Sequence, residues 1–152
     1  MIRKLAHLCF VTDDLDRMLH FYSKQIGLPV KFSFKNAGGE IFGYYLECGD
    51  SSFVEIFDRK LKFKQWGGEL EQPAKGTMYN HFCMEVTGLP AFKATLESRG
   101  VKMTEIKTGM DHSLQSWTND PDGNPIEFME YTGESLQIQR EIQAVNPDTV
   151  AT

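Results

Sequence analysis

The chain has 152 residues, of which 41% are hydrophobic and 24% are charged, and this composition excludes a disordered or fibrous protein. Sixteen lysines and arginines against twenty-one aspartates and glutamates give a net charge of −5, which argues against a general nucleic-acid-binding protein. A chain of this length can bury a core without disulfides. We therefore expect one globular domain.

The cysteines and the start of the chain bear on where the protein resides. Three cysteines, Cys9, Cys48 and Cys83, have neither zinc-type spacing nor the even number of a disulfide framework. The basic-then-apolar start resembles a secretory signal, but His7 interrupts its apolar run and no small-residue cleavage site follows. We expect a cytoplasmic protein without a membrane span.

The first structural unit, residues 4–58, is predicted to have the order β-α-β-β-β. It starts with a strand at His7, and a helix follows that Thr12 or Asp13 is expected to cap and Gly27 to end. The apolar stripe of this helix consists of Leu15, Met18, Leu19, Tyr22 and Ile26. The three later strands are predicted at 29–36, 41–48 and 52–58, separated by turns rich in glycine and asparagine.

A linker is predicted at residues 59–77. Its first part, residues 59–66, alternates basic and apolar side chains. This pattern favours a solvated connector, with the wall of a pocket for an anionic substrate as the alternative.

The second unit, residues 78–131, repeats the order of the first. It starts with a strand at His81, and its shorter helix has Pro90 at the first helical position and is closed by Gly100. The later strands are predicted at 102–108, 113–119 and 125–131. Residues 132–152 are predicted to be a C-terminal tail, partly helical or loose. The fold class is therefore α+β, with two tandem β-α-β-β-β units.

The two units share histidine and glutamate residues at equivalent positions, as well as the order of their strands and helix. His7-Leu8-Cys9-Phe10 recurs as His81-Phe82-Cys83-Met84, displaced by 74 positions. A mid-strand glutamate, Glu55, recurs as Glu127, displaced by 72 positions. Since side chains alternate across a strand, the apolar neighbours of all four residues point to one sheet face and the four polar side chains to the other.

Two imidazoles and two carboxylates on one concave surface are costly to desolvate unless a cation compensates them. We therefore predict that His7, Glu55, His81 and Glu127 bind one divalent metal ion. Nitrogen and carboxylate ligands suit Zn²⁺, Ni²⁺, Co²⁺, Mn²⁺ or Fe²⁺ and leave coordination positions open for water and substrate. A single histidine or glutamate on a strand would be read as an ordinary partly exposed side chain; the repetition changes that interpretation.

These residues resemble the vicinal oxygen chelate superfamily, which includes glyoxalase I, methylmalonyl-CoA epimerase, extradiol dioxygenases, fosfomycin-resistance transferases and bleomycin-resistance proteins. The resemblance covers residues 4–131. It rests on His7, on Val11-Thr12-Asp13-Asp14-Leu15-Asp16, on Phe21-Tyr22 with Gly27-Leu28, on Phe53-Val54-Glu55, on His81 and on Asp120-Pro121-Asp122-Gly123-Asn124-Pro125-Ile126-Glu127. It implies that the units curl into a cup around the metal ion and that the protein is a homodimer.

Within this superfamily, a glutamate at position 55 is similar to the fourth metal ligand of glyoxalase I-like enzymes. The resemblance then implies a lyase or isomerase that moves a proton beside a metal-chelated carbonyl, with Glu127 as the base and Glu55 as a ligand and second candidate base. The alternatives are an epimerase, a ring-cleaving dioxygenase, or a binding or resistance protein without turnover. At two positions where glyoxalase I often has residues that hold glutathione, this sequence has Val11 and Arg59. Thr77 stands four positions before His81, where an arginine is often found.

Four aromatic residues near the expected cup are candidates for contact with an apolar part of a substrate. They are Phe34, Tyr45, Tyr79 and Trp117. Aromatic residues at strand positions are more often core residues, so the sequence does not define a substrate pocket.

Overall fold

Two four-stranded mixed sheets, one from each unit, form the frame of the computed structural model, which describes residues 5–67 and 80–139. The first unit contains β1 (His7–Thr12), α1 (Leu15–Leu19), β2 (Val30–Lys35), β3 (Ile41–Gly49) and β4 (Ser52–Asp58). After α2 (Arg59–Trp66), the second contains β5 (Phe82–Glu85), α3 (Leu89–Ser98), β6 (Lys107–Thr108), β7 (Leu114–Asn119) and β8 (Pro125–Glu130), and α4 (Leu136–Gln139) follows. The α+β class with two β-α-β-β-β units is confirmed.

Each sheet has the same topology, which places the first and last strands of a unit side by side. The orders are β1-β4-β3-β2 and β5-β8-β7-β6. The β1–β4 and β5–β8 pairs are parallel, and the other neighbours are antiparallel. A residue on the first strand of a unit therefore lies beside a residue on its last strand.

The first helix starts and continues differently from the prediction. Asp14, rather than Thr12 or Asp13, is the N-cap, because its side chain accepts a hydrogen bond of 3.0 Å from the Arg17 N–H. After α1, residues His20–Ile26 form a π-helix, which ends at Gly27 in the left-handed conformation. Apolar spacing cannot distinguish the two helix types.

The predicted linker and the predicted C-terminal tail each contain a helix, α2 and α4 respectively. Residues Arg59–Trp66, predicted to lie in a linker, form α2, because the Asp58 side chain caps the Leu61 N–H at 2.8 Å. Residues 68–79 and 140–152 lie outside the described part of the chain, so the rest of the predicted linker and most of the predicted tail are not described. None of the described helices is long and apolar enough to cross a membrane.

The strand predicted at 102–108 is wrong for most of its length, since only Lys107–Thr108 pair as β6. Side-chain hydroxyl groups of β7 make hydrogen bonds to this segment that backbone N–H groups would make in a regular strand. The Ser116 hydroxyl donates to the Thr104 carbonyl at 2.8 Å, and the Thr118 hydroxyl donates to the Lys102 carbonyl at 2.8 Å. The segment stays attached to β7 without being a regular strand.

One hydrophobic core joins the two units. It contains Met18, Phe21, Tyr22, Ile26, Leu46, Val54 and Ile56 from the first unit and Phe82, Leu89, Leu96, Val101, Ile126 and Phe128 from the second. The Tyr22 hydroxyl also donates a buried hydrogen bond of 2.9 Å to Asp120 in the turn before β8. The apolar faces of both sheets are therefore directed into a shared interior.

The start of α3 depends on a carboxylate from β8. Glu130 accepts hydrogen bonds from the backbone N–H groups of Gly88 at 2.7 Å and of Leu89 at 2.8 Å. These two donors hold the pKa of the Glu130 carboxyl below its ordinary value of 4.5. The carboxylate thus supplies the cap that Gly88, as the N-cap residue, lacks.

Replacing Glu130 by Gln is expected to lower the Tm at neutral pH. A depressed pKa stabilises the fold above the unfolded-state value near 4.5, and this contribution is lost as the pH falls through the folded-state pKa. The Tm difference from the original chain should therefore shrink in acid. Thermal unfolding between neutral pH and pH 3 measures it, with Glu134→Gln as the exposed control; a difference that is constant with pH would contradict the assignment.

Candidate metal-binding half-sites

The first His–Glu pair lies on the sheet of the first unit. The His7 Nε2 atom is 3.9 Å from a carboxylate oxygen of Glu55, and the two side chains are 44% and 15% exposed. The parallel register of β1 and β4 accounts for this proximity, since it aligns His7 with Phe53 and Cys9 with Glu55. His7 and Glu55 are thus neighbours on one sheet face.

The second pair repeats this arrangement on the other sheet. The His81 Nε2 atom is 3.2 Å from a carboxylate oxygen of Glu127, and their side chains are 33% and 9% exposed. His81 immediately precedes β5, and the β5–β8 register aligns Cys83 with Glu127. The duplication seen in the sequence is therefore also a duplication of geometry.

Both pairs lie on the sheet faces that are directed away from the shared core. The intervening apolar residues, Val54 and Ile56 beside Glu55 and Ile126 and Phe128 beside Glu127, are almost completely buried in that core. Strand alternation then places the polar residues on the opposite face, as the sequence pattern predicts.

The structure brings together His7 with Glu55 and His81 with Glu127, but it does not bring the two pairs into one cluster. Within residues 5–67 and 80–139, no three histidine, cysteine, aspartate or glutamate side chains converge so as to hold a metal ion. One chain therefore presents two separate pairs. We call the first pair the N half-site and the second pair the C half-site.

An aromatic side chain contacts the histidine of each half-site. Tyr45 on β3 lies opposite Glu55, and its ring contacts His7 at a centroid distance of 5.8 Å. Trp117 on β7 lies opposite Glu127, and its ring contacts His81 at 4.6 Å. Both contacts are edge-to-face. These two of the four aromatic candidates thus adjoin the metal-ligand candidates.

The sequence contains a signal for these aromatic residues that motif reasoning did not use. Tyr45 and Trp117 each lie ten positions before the glutamate of their unit, so they share the displacement of 72 that relates Glu55 to Glu127. Phe34 contacts the Tyr45 ring at 6.2 Å and also lies in an aromatic cluster with Phe42, Phe57 and Trp66. Tyr79 lies outside the described residues.

A thiol adjoins the glutamate of the C half-site. The loss of water around the Cys83 thiol and the neighbouring Glu127 carboxylate raise the pKa of this thiol to about 12. In the absence of a cation, Cys83 is therefore a neutral thiol at physiological pH. Cys9 occupies the equivalent place beside Glu55.

The donor chemistry of each half-site fits a divalent cation. An imidazole nitrogen and a carboxylate oxygen, separated by 3.9 Å in one pair and 3.2 Å in the other, are directed at each other. Two such pairs would supply the two nitrogen and two oxygen ligands that suit Zn²⁺, Ni²⁺ or Co²⁺. A single pair would leave most of the coordination sphere to water.

One position that departs from the glyoxalase I pattern, Arg59, has a side-chain partner of its own. Arg59 is 14% exposed, and its guanidinium pairs with Asp13 through bonds of 2.9 Å from Nε and 2.6 Å from Nη2. It is thus held beside the end of β1, at Asp13. Thr77, which precedes His81, lies outside the described residues.

Comparison with known proteins agrees with the superfamily that the sequence motifs resemble. A family model described as the Glyoxalase/Bleomycin resistance protein/Dioxygenase superfamily matches residues 4–128. A protein of Vibrio cholerae serotype O1, named "Probable lactoylglutathione lyase", is 24% identical over 131 residues, which are 84% of this chain and 90% of that protein.

Solved structures share the fold at low identity. Lactoylglutathione lyase from Agrobacterium tumefaciens has a TM-score of 0.61 and 20% identity, with 84% of this chain and 92% of the other covered. A glyoxalase family protein from Enterococcus faecalis has a TM-score of 0.64 and 19% identity, with coverage of 84% and 98%. At these identities the likeness concerns the fold, and the chemistry must be argued from the half-sites.

Proposed function

Because the chain belongs to the glyoxalase/bleomycin resistance protein/dioxygenase superfamily, as its motifs predicted, we propose that it is a metal-dependent lyase or isomerase of the glyoxalase type. It would act by proton transfer beside a metal-chelated carbonyl or hydroxyl group. The observation that carries the proposal is the duplicated His–Glu pair, in which an imidazole Nε2 and a carboxylate oxygen are 3.9 Å apart in one half-site and 3.2 Å apart in the other.

We further propose that the active protein is a homodimer in which each metal ion is shared between copies. His7 and Glu55 of one copy and His81 and Glu127 of the other would hold it. If a twofold axis brings the N half-site of one copy against the C half-site of the other, it also brings the remaining two half-sites together. The dimer then has two equivalent metal sites. Support comes from the placement of both half-sites on sheet faces directed away from the core of their own chain.

The bound metal ion would stabilise the negative charge that develops on substrate oxygens when a carbon-bound proton is removed. The chain's own residues supply the remaining chemistry. Glu127 is the better candidate for the base because its side chain is only 9% exposed, against 15% for Glu55. A carboxylate shielded from water can accept a proton from the substrate without competition from solvent. Glu55 is assigned the role of a ligand.

Glutathione is not assigned as the thiol part of the substrate. Val11 is apolar, and the Arg59 guanidinium is already paired with Asp13. A hemithioacetal assay should therefore compare glutathione with thiols that lack its two carboxylates.

The decisive experiment combines metal binding with turnover. Chelator-treated protein is titrated with Ni²⁺ or Zn²⁺ by calorimetry, and the loaded protein is then assayed with methylglyoxal hemithioacetals of different thiols. We expect one metal ion per chain and metal-dependent isomerisation. A protein that binds no divalent metal would overturn the proposal. Metal binding without hemithioacetal turnover would reject the glyoxalase assignment and favour epimerase or dioxygenase chemistry.

A further inference from the structure

In both half-sites, the histidine nitrogen that is remote from the glutamate already has a hydrogen-bond partner. The His7 Nδ1 atom is 2.9 Å from the Tyr45 hydroxyl. The His81 Nδ1 atom is 2.6 Å from the Oδ1 atom of Asn80. In each case Nε2 is the atom directed at the carboxylate.

We propose that Tyr45 and Asn80 are positioning residues that hold the Nε2 lone pairs of His7 and His81 toward the metal ion. The inference rests on the proposed metal site and assigns to it two residues outside the ligand set. A neutral imidazole carries one N–H, and the nitrogen that lacks the proton is the ligand. A partner that accepts the Nδ1 proton therefore determines which nitrogen can bind the metal.

The Asn80 amide presents its oxygen, rather than its NH₂ group, to the His81 ring. Its Oδ1 atom has no proton, so His81 Nδ1 must be the donor and Nε2 must carry the lone pair in the neutral ring. That lone pair then lies 3.2 Å from a carboxylate oxygen of Glu127, an arrangement that is repulsive without a cation between the two atoms. The C half-site is thus prepared for a cation before one binds.

Tyr45 is more permissive, because a phenol hydroxyl can donate or accept. The Tyr45 hydroxyl can donate to the His7 Nδ1 atom in the metal-free protein and accept from it when Nε2 binds the metal. Stacking holds the Tyr45 ring in place, since Phe32 lies nearly parallel at a centroid distance of 4.8 Å. The N half-site should therefore change tautomer on loading, whereas the C half-site should not.

Nitrogen-15 NMR of the histidine side chains measures the tautomers directly. In the metal-free protein at about pH 8.5, where ordinary histidines are neutral, His81 should be almost entirely in the Nδ1–H form and His7 a mixture. Asn80→Ala should shift His81 toward the Nε2–H form and leave His7 unchanged. Asn80→Asp, which keeps the acceptor oxygen, should restore the Nδ1–H form.

The same variants should weaken metal binding. Loss of a hydrogen bond to a ligating histidine lowers metal affinity by about 10- to 100-fold, and we expect this loss for Asn80→Ala and for Tyr45→Phe in calorimetric titration with Ni²⁺ alone. Asn80→Asp should retain the affinity of the original chain. Tyr44→Phe is the matched control for Tyr45→Phe, because Tyr44 lies opposite Ile56 and thus on the other sheet face.

The outcomes separate this inference from the proposed function. If the original chain binds metal and the Asn80→Ala and Tyr45→Phe variants keep its affinity and its tautomers, the positioning roles are wrong and the metal site stands. If the original chain binds no metal, the proposed function fails, and the tautomers of metal-free His81 still show whether Asn80 determines which ring nitrogen carries the proton. An Nε2–H form of His81 in the metal-free original chain would overturn the role assigned to Asn80.

Discussion

Replacing Glu127 by Gln is expected to reduce hemithioacetal turnover by about 10²- to 10⁴-fold, the range that a general base contributes. The amide has the shape of the carboxylate but cannot take the substrate proton. Steady-state kinetics of the metal-loaded variant measures the loss, and it should appear mainly in kcat because the proton is transferred after the substrate has bound.

Two controls make this prediction specific. Glu105→Gln removes an exposed carboxylate outside both half-sites and should leave turnover and Tm unchanged. Glu55→Gln alters the ligand of the N half-site and should weaken Ni²⁺ binding more than it lowers the kcat of the loaded protein. Full activity of a folded Glu127→Gln variant would refute the role of Glu127 as base.

Mixing two inactive variants is expected to restore activity. His7→Ala disrupts the N half-site and His81→Ala the C half-site, so a dimer of either variant has no intact site. A mixed dimer joins the intact N half-site of one copy to the intact C half-site of the other. With random exchange, half of the dimers are mixed and each has one working site, which gives about a quarter of the original activity.

The matched negative control uses two variants of the same half-site. Mixtures of His7→Ala with Glu55→Ala contain no intact N half-site in any dimer, so they should remain inactive. Co-expression with two affinity tags and sequential purification isolates the mixed dimers for assay. If the mixed dimer of His7→Ala with His81→Ala is also inactive, the metal ion is not shared between copies.

The sheet faces of the half-site residues could be predicted from the sequence because a strand has a strict alternation. Once His7 and Glu55 are assigned to strands with buried apolar neighbours, their common face follows from parity. Repetition made the assignment stronger than any single histidine could.

Other features depend on contacts that have no local signature. Residues 102–106 have strand-like composition, but the carbonyls of Lys102 and Thr104 accept hydrogen bonds from hydroxyl groups of β7 instead of from backbone N–H groups. Residues 59–66 have an alternating pattern, yet the Asp58 cap starts a helix there. The pairing of Tyr45 with His7 requires the register of three strands, which periodicity does not specify.

The shared core has a thermodynamic consequence for the proposed metal site. Because both units bury their apolar faces in one interior, the half-sites of a chain are fixed on their own sheets, and metal binding cannot join them without separating that core. A metal ion that needs both half-sites must then bind two copies of the chain at once. Metal binding and dimerisation are therefore coupled equilibria. The apparent metal affinity would rise with protein concentration, and chelation would promote dissociation to single chains.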